Sequence, residues 1–144
     1  ISNLNLQTVE SKDGKSGVWQ FQFVSPAQKM VYNVRYAVVD ELPSFREGAW
    51  DSGSQSYDAR GMRAKPFPVA ALRCDSTTAY EIAAKEAKEF LEKNSKLPVN
   101  FICEMTDAYQ LPTWRVYWGA SISTAVYSVY VDANQSKFLK KGKG

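Results

Sequence analysis

Two cysteines, Cys74 and Cys103, are the residues of this 144-residue chain best suited to covalent chemistry, and no histidine accompanies them. The missing histidine removes the Ser-His-Asp and Cys-His nucleophilic systems, the usual general base near neutral pH and histidine-ligated zinc. Carboxylate, lysine, tyrosine or cysteine chemistry remains. Asp40, Glu41, Asp51 and Asp58 have neither the spacing of a calcium loop nor the pairing of a glycosidase site, and read as surface carboxylates. No phosphate-binding glycine loop, dinucleotide fingerprint or paired-cysteine zinc spacing occurs. The residues therefore call for no cofactor and no metal, and point away from an enzyme.

The cysteines read instead as a structural pair. Cys74 lies just before a predicted helix of about 16 residues, which rises ~24 Å. A returning strand covers most of that height in six or seven residues at ~3.3 Å each. Cys103 thus comes back to the level of the helix start, where a disulfide with Cys74 is geometrically reasonable. Two small buried thiols are the alternative. A bridge would mark an oxidising compartment.

The elements that position this pair are legible from periodicity. Ser76, Thr77 and Thr78 offer helix caps, with Thr78 and Glu81 at capping-box spacing. Ala79, Ile82, Ala83, Ala87, Phe90 and Leu91 form an apolar stripe, and Asn94 and Pro98 end the helix. Val99, Phe101, Cys103 and Met105 then alternate as a strand facing the helix, followed by a loop over Tyr109–Thr113. Near the start, Leu4, Leu6 and Thr8 alternate as a first strand, and residues 11–17 make a polar turn. Trp19, Phe21 and Phe23 share one face of a second strand, and Met30 to Val39 forms a third. Glu41 to Pro68 is rich in glycine and proline and lacks a regular period, with room for a short edge strand around residues 44–50. Phe138-Leu139 makes a short final strand, and the tail lysines Lys137, Lys140, Lys141 and Lys143 read as a solvated end.

A repeat runs through this pattern. At an offset of 95 residues Trp19 falls on Trp114, Phe21 on Val116, Phe23 on Trp118, Val31 on Val126, Tyr32 on Tyr127 and Val34 on Val129. The same offset places Leu4 on Val99, Asn5 on Asn100 and Leu6 on Phe101. Each copy reads as a three-stranded meander, and repeats of this kind usually build a surface rather than a catalytic centre. Only the second copy carries a helix, so the first helix is expected upstream of Ile1 or lost. A start at Ile1 rather than Met likewise leads us to expect that a leader has been removed.

The helix together with Pro112-Thr113-Trp114-Arg115-Val116-Tyr117-Trp118 and Val126-Tyr127-Ser128-Val129-Tyr130-Val131-Asp132-Ala133 resembles a PepSY domain. The family's turn after the Val-Asp-Ala triplet usually carries a glycine, near which Ser136 stands here. The tandem arrangement is similar to the β-lactamase-inhibitor-like group, in which two helix-plus-sheet units share one concave sheet. The resemblance implies an extracytoplasmic module (periplasmic, secreted or cell-surface) that binds proteins or restrains peptidases.

The predicted fold is α+β: an antiparallel sheet of two repeated strand-meander units with one main helix packed on a face. Its parts are a first meander over 1–40, an irregular aromatic connection over 41–75 and a complete helix-plus-meander unit over 76–144. A hydrophobic fraction of 44% supplies a packed core. Trp50, Tyr57, Arg60, Met62, Arg63 and Phe67 in the connection mix aromatics with arginine, as a binding loop or a flap over the sheet would. Arg35, Arg115 and Tyr117 add interface-type residues on the sheet itself. The aromatic row of Trp19, Phe21 and Phe23 serves either core or binding face. A net charge of +3 is thin for nucleic acid, and no apolar run approaches the ~20 residues of a membrane helix. The expected function is a non-enzymatic binding or inhibitory module with a protein partner. A small-ligand or enzymatic domain of cystatin- or NTF2-like shape is the alternative.

Overall fold

The alternation of Trp19, Phe21 and Phe23 with Gln20 and Gln22 builds a strand with one aromatic and one polar face, and its partner strand follows after a four-residue turn. The computed structural model describes residues 1–144 and contains eight such strands in one antiparallel sheet. They are β1 (Ser2–Leu4), β2 (Val18–Ser25), β3 (Met30–Ala37), β4 (Gly48–Ser56), β5 (Val99–Thr106), β6 (Tyr109–Trp118), β7 (Tyr127–Asp132) and β8 (Lys137–Lys143). Their spatial order is β4-β3-β2-β1-β5-β6-β7-β8. Two four-stranded meanders therefore stand back to back, joined where β1 runs antiparallel to β5 at the pair Ser2–Ile102. The architecture is α+β and mostly sheet.

Several boundaries differ from those expected. β1 ends at Leu4, so Leu6 and Thr8 belong to a loop, 5–17, rather than to a strand. Glu41 to Pro68 contains a full strand, β4, hidden because Gly48–Ser56 carries small polar residues without alternation. β6 begins at Tyr109, where a loop was expected. The C-terminal lysines form the edge strand β8 instead of a frayed tail. Lys141 reaches the helix, its Nζ donating to the Glu86 carbonyl at 2.9 Å, and Lys140 lies over the Tyr130 ring at 5.0 Å. In the turn before β8, Ser136 holds φ at +55°, the left-handed conformation that favours glycine.

Helix α1 (Ser76–Glu86) runs into a short helix, α2 (Lys88–Lys93), at Ala87. Its cap is Asp75, one residue earlier than the expected candidates: the carboxylate accepts from the Thr78 N–H at 2.8 Å. Thr78 already lies inside the first turn, so it cannot cap. Ala79, Ala83 and Ala87 are buried against the sheet, and their small size lets the helix approach closely. Beneath it lie Phe101 and Cys103 of β5, Trp114, Val116 and Trp118 of β6, and Val129 and Val131 of β7. Each of the larger apolar chains contributes ~1.5–3 kcal/mol on burial.

The 5–17 loop crosses to the start of α1. Gly14 sits there at φ +82°, and a Cβ on it would lie 2.5 Å from the Ser76 carbonyl oxygen, so only glycine fits. A second, smaller core of Leu6, Val18 and Ala37 lies at the first meander, with Leu4, Val9, Phe45 and Trp50 packed around it.

A buried amide network locks the two meanders together. The Asn3 side chain accepts from the Phe101 N–H at 2.8 Å and donates to Asn100 Oδ1 at 3.0 Å. Asn5 donates to the same oxygen at 2.9 Å, and Asn100 donates to the Gly119 carbonyl at 2.8 Å. Asn5 and Asn100, matched in the sequence alignment, thus meet in space. They do not occupy equivalent strand positions, because the first strands abandon the 95-residue offset. Leu4 faces Val18, whereas the residue facing Thr113 is Glu104, not Val99. The long 5–17 loop separates β1 from β2, while a tight Asp107-Ala108 turn joins β5 to β6.

Candidate functional site

The helix-side face of the second meander is filled, whereas that of the first is open. Trp114, Val116 and Trp118 are 3%, 0% and 2% exposed beneath the helices. Trp19, Phe21 and Phe23 lie on the same side of the sheet, as strand alternation and the contact of Trp19 with the main core require. Trp19 packs edge-on against Trp114 at 6.1 Å and against Phe101 at 5.9 Å. Farther along, Phe21 and Phe23 stack at 6.1 Å, and Phe23 and Tyr36 are each 45% exposed.

A cleft of about 510 Å³ opens beside this aromatic row. One wall is Phe21, Phe23 and Val34, and the other is Met62, Pro66 and Phe67 from the connection between β4 and the helix. That second wall is tied down along its length. The Tyr57 N–H donates to the Lys29 carbonyl at 2.9 Å, and the Lys65 N–H to the Met105 carbonyl at 2.7 Å. Arg63 Nη2 donates to Glu104 Oε1 at 3.0 Å, and Lys65 pairs with Asp107. Phe67 and Leu72 pack into the main core. Arg60 pairs with Asp58 at 3.5 Å and otherwise stands in solvent.

The remaining sequence candidates occupy the opposite face, at two separate places. Arg35 Nε donates to Gln20 Oε1 at 3.2 Å, and its guanidinium lies 5.9 Å from the Phe45 ring, which in turn packs on Trp50. Arg115 Nε donates to Ser128 Oγ at 3.0 Å and sits between Tyr117 and Tyr130 at 5.6 and 5.7 Å. Burial pushes the Tyr117 hydroxyl pKa up, and the charge of Arg115 pulls it partly back. So the structure brings Tyr57, Arg60, Arg63 and Phe67 to the cleft wall and leaves Arg35, Trp50, Arg115 and Tyr117 elsewhere. Tyr36 and Val34 were not among the residues singled out. Their alternation matches that of Val131 and Val129, and nothing in it distinguishes a covered strand from an open one.

A second cleft, of about 610 Å³, lies between the 5–17 loop and the ends of the helices, lined by Leu6, Val9, Tyr80, Leu91, Leu97 and Trp118 among others. Burial and then Asp13 push the Tyr80 hydroxyl pKa up. No group of three or more Cys, Asp or Glu side chains comes together in a way that would hold a metal ion.

Cys74 and Cys103 share the main core, as the helix–strand geometry implies, and both are free thiols. Burial pushes the Cys103 pKa up to about 12, partly offset by the ammonium of Ile1. A thiol this protonated is ~10⁻⁴ ionised at pH 8. Native protein is therefore expected to leave Cys103 unlabelled by iodoacetamide at pH 8, with labelling after unfolding. The folded state also holds this proton more tightly than the unfolded one. The associated stability is complete below about pH 9 and is lost as pH rises toward 12. Urea midpoints of wild type and Cys103→Ala across that window check this: the variant should show the shallower decline.

Comparison with known proteins finds no family model, no curated protein and no solved structure that matches this chain.

Proposed function

We propose that this chain is a non-enzymatic, exported, PepSY-like binding module that holds a protein partner against the open face of its first meander. The observation that carries the reading is the contrast between the two meanders. Positions occupied by Trp118 and Val131 under the helices correspond to Phe23 and Tyr36, each nearly half exposed beside an apolar cleft. Contiguous apolar surface of this kind, rimmed by polar residues, marks interaction sites.

The correspondence rests on strand register. β2 pairs with β3 from Val18–Ala37 to Ser25–Met30, and β6 with β7 from Thr113–Asp132 to Trp118–Tyr127. The second set is the first displaced by 95 residues. Between β1 and β5 the displacement is 100, which makes Ser2 and Ile102 equivalent to each other as well as paired. These registers support two copies of one unit related by a local twofold axis through that pair. The class and the extracytoplasmic location rest on the resemblance carried by Pro112–Ala133.

The test is quantitative affinity capture from an envelope fraction with wild type, Phe23→Asp and, on the opposite face, Tyr117→Asp. Phe23→Asp should cut retention of a partner at least tenfold while shifting stability by no more than ~1 kcal/mol. Tyr117→Asp should keep the partner. Equal retention by all three proteins, or none by any, overturns the reading.

A further inference from the structure

We propose that the partner enters the cleft as an extended strand, pairing with the open edge of β2 in line with β1. The inference builds on the binding-module reading and names the form in which the partner binds. It starts from the hydrogen-bond parity of the central strands. Ile1 exchanges both main-chain bonds with Cys103, its nitrogen donating to the Cys103 carbonyl at 3.0 Å and its carbonyl accepting from the Cys103 N–H at 2.7 Å. Ile1 therefore faces β5, and Ser2, the next residue, turns its N–H and C=O toward Gln20 of β2. Along β2 the direction alternates, so Gln22 and Val24 turn their main-chain groups to the same side as Gln20. Gln20, opposite Ser2, is as far as the β1 pairing runs along β2. The wall beyond, residues 62–67, bonds to Met105 of β5 through Lys65 and makes no main-chain bond to β2. The cleft thus has an unpaired strand edge for one side and apolar side chains around it.

An unpaired edge of this kind is a template for an added strand. Four residues of extended chain span ~14 Å, the length of β2 from Phe21 to Val24 with a little to spare. Alternate side chains of the entering strand would meet Phe21, Phe23 and Phe67, and the others would face Gln20 and Gln22. The charged groups of the wall are already matched, Arg63 with Glu104 and Lys65 with Asp107. The ligand class that fits is a short, uncharged extended segment with apolar residues at every second position and no proline where it meets Gln22 and Val24.

A library of acetylated, amidated hexapeptides alternating Val, Ile or Phe with Ser or Thr tests this on the whole chain. Binders should shift the Gln22 and Val24 amide resonances saturably and slow their hydrogen exchange at least tenfold. Methylating successive main-chain nitrogens of a binder should then give a period of two. Methylation at a nitrogen facing β2 should weaken binding at least tenfold, and at its neighbours by less than twofold. A flat methylation profile, or no binder at all, overturns strand pairing. Protection of the Gln22 and Val24 amides in a dimer without peptide also overturns it, and assigns the edge to a second copy. Each of these results leaves the binding-module reading intact if Phe23→Asp still abolishes partner capture.

Discussion

Replacing Asn100 with leucine is expected to destabilise the fold by about 3–5 kcal/mol, because each buried polar group left without a partner costs ~1–3 kcal/mol. The substitution takes the donor from the Gly119 carbonyl and the acceptor from the side-chain amides of both Asn3 and Asn5. Asn3 keeps a longer bond, 3.3 Å to Ser16 Oγ, which softens the loss at one of the three. The added apolar volume recovers a little. The effect falls on the joint between the meanders, where β1 is only three residues long. Urea unfolding should show a lower midpoint with an unchanged slope, and the melting temperature should fall by roughly 10 °C. In a double-mutant cycle, Asn3→Leu with Asn100→Leu should cost less than the sum of the two, by ~1–3 kcal/mol, since the residues share one bond. A single Asn100→Leu cost below ~1 kcal/mol would show that the network does not hold the halves together.

That joint is also where the sequence was least legible. Local periodicity marks β2, β3, β6, β7 and the helix, because each carries its own pattern of apolar residues and each pairs with a neighbour in the chain. The junction of β1 with β5 depends on asparagines nearly a hundred residues apart, and no local pattern announces such a contact. β4 escaped notice because Gly48–Ser56 has almost no apolar side chains to alternate. Its partner β3 supplies the pattern for both. β8 was read as a tail on account of its lysines, yet lysine along an outer strand is how a sheet edge is kept from pairing with another chain.

The candidate site divides the same way. The aromatic and basic residues of the connection were recognised, and Phe67 and Arg63 do line or anchor the cleft wall. Arg35 and Arg115 were recognised too, but their side chains are spent on cross-strand partners on the far face. What no residue pattern conveyed is that the same alternation would be covered in one meander and open in the other. That difference lies in the third dimension, in which strands α1 reaches: β6, β7 and β8.

Trp114 and Trp19 measure that difference directly. Trp114→Ala is expected to cost about 4–6 kcal/mol, the upper end for removing a buried aromatic plus the loss of a buried hydrogen bond. Its indole N–H donates to the Cys74 carbonyl at 2.8 Å, fixing the chain just before Asp75 caps the helix. Its ring fills the space between Trp19, Phe101 and the helix. Trp114→Phe should recover most of the packing and leave the carbonyl unpaired, for a cost of about 2–3 kcal/mol. Trp19→Ala removes the same side chain from the matching strand position, where it is only half buried and makes no hydrogen bond through its indole. It should cost at least ~2 kcal/mol less than Trp114→Ala. Circular dichroism in urea reads all three without relying on tryptophan fluorescence, and Trp114→Ala alone should bring Cys103 within reach of iodoacetamide in the native state. Equal costs for Trp19→Ala and Trp114→Ala would mean that the first meander is as closed as the second. The open aromatic face would then lose its claim to be a place where another chain docks.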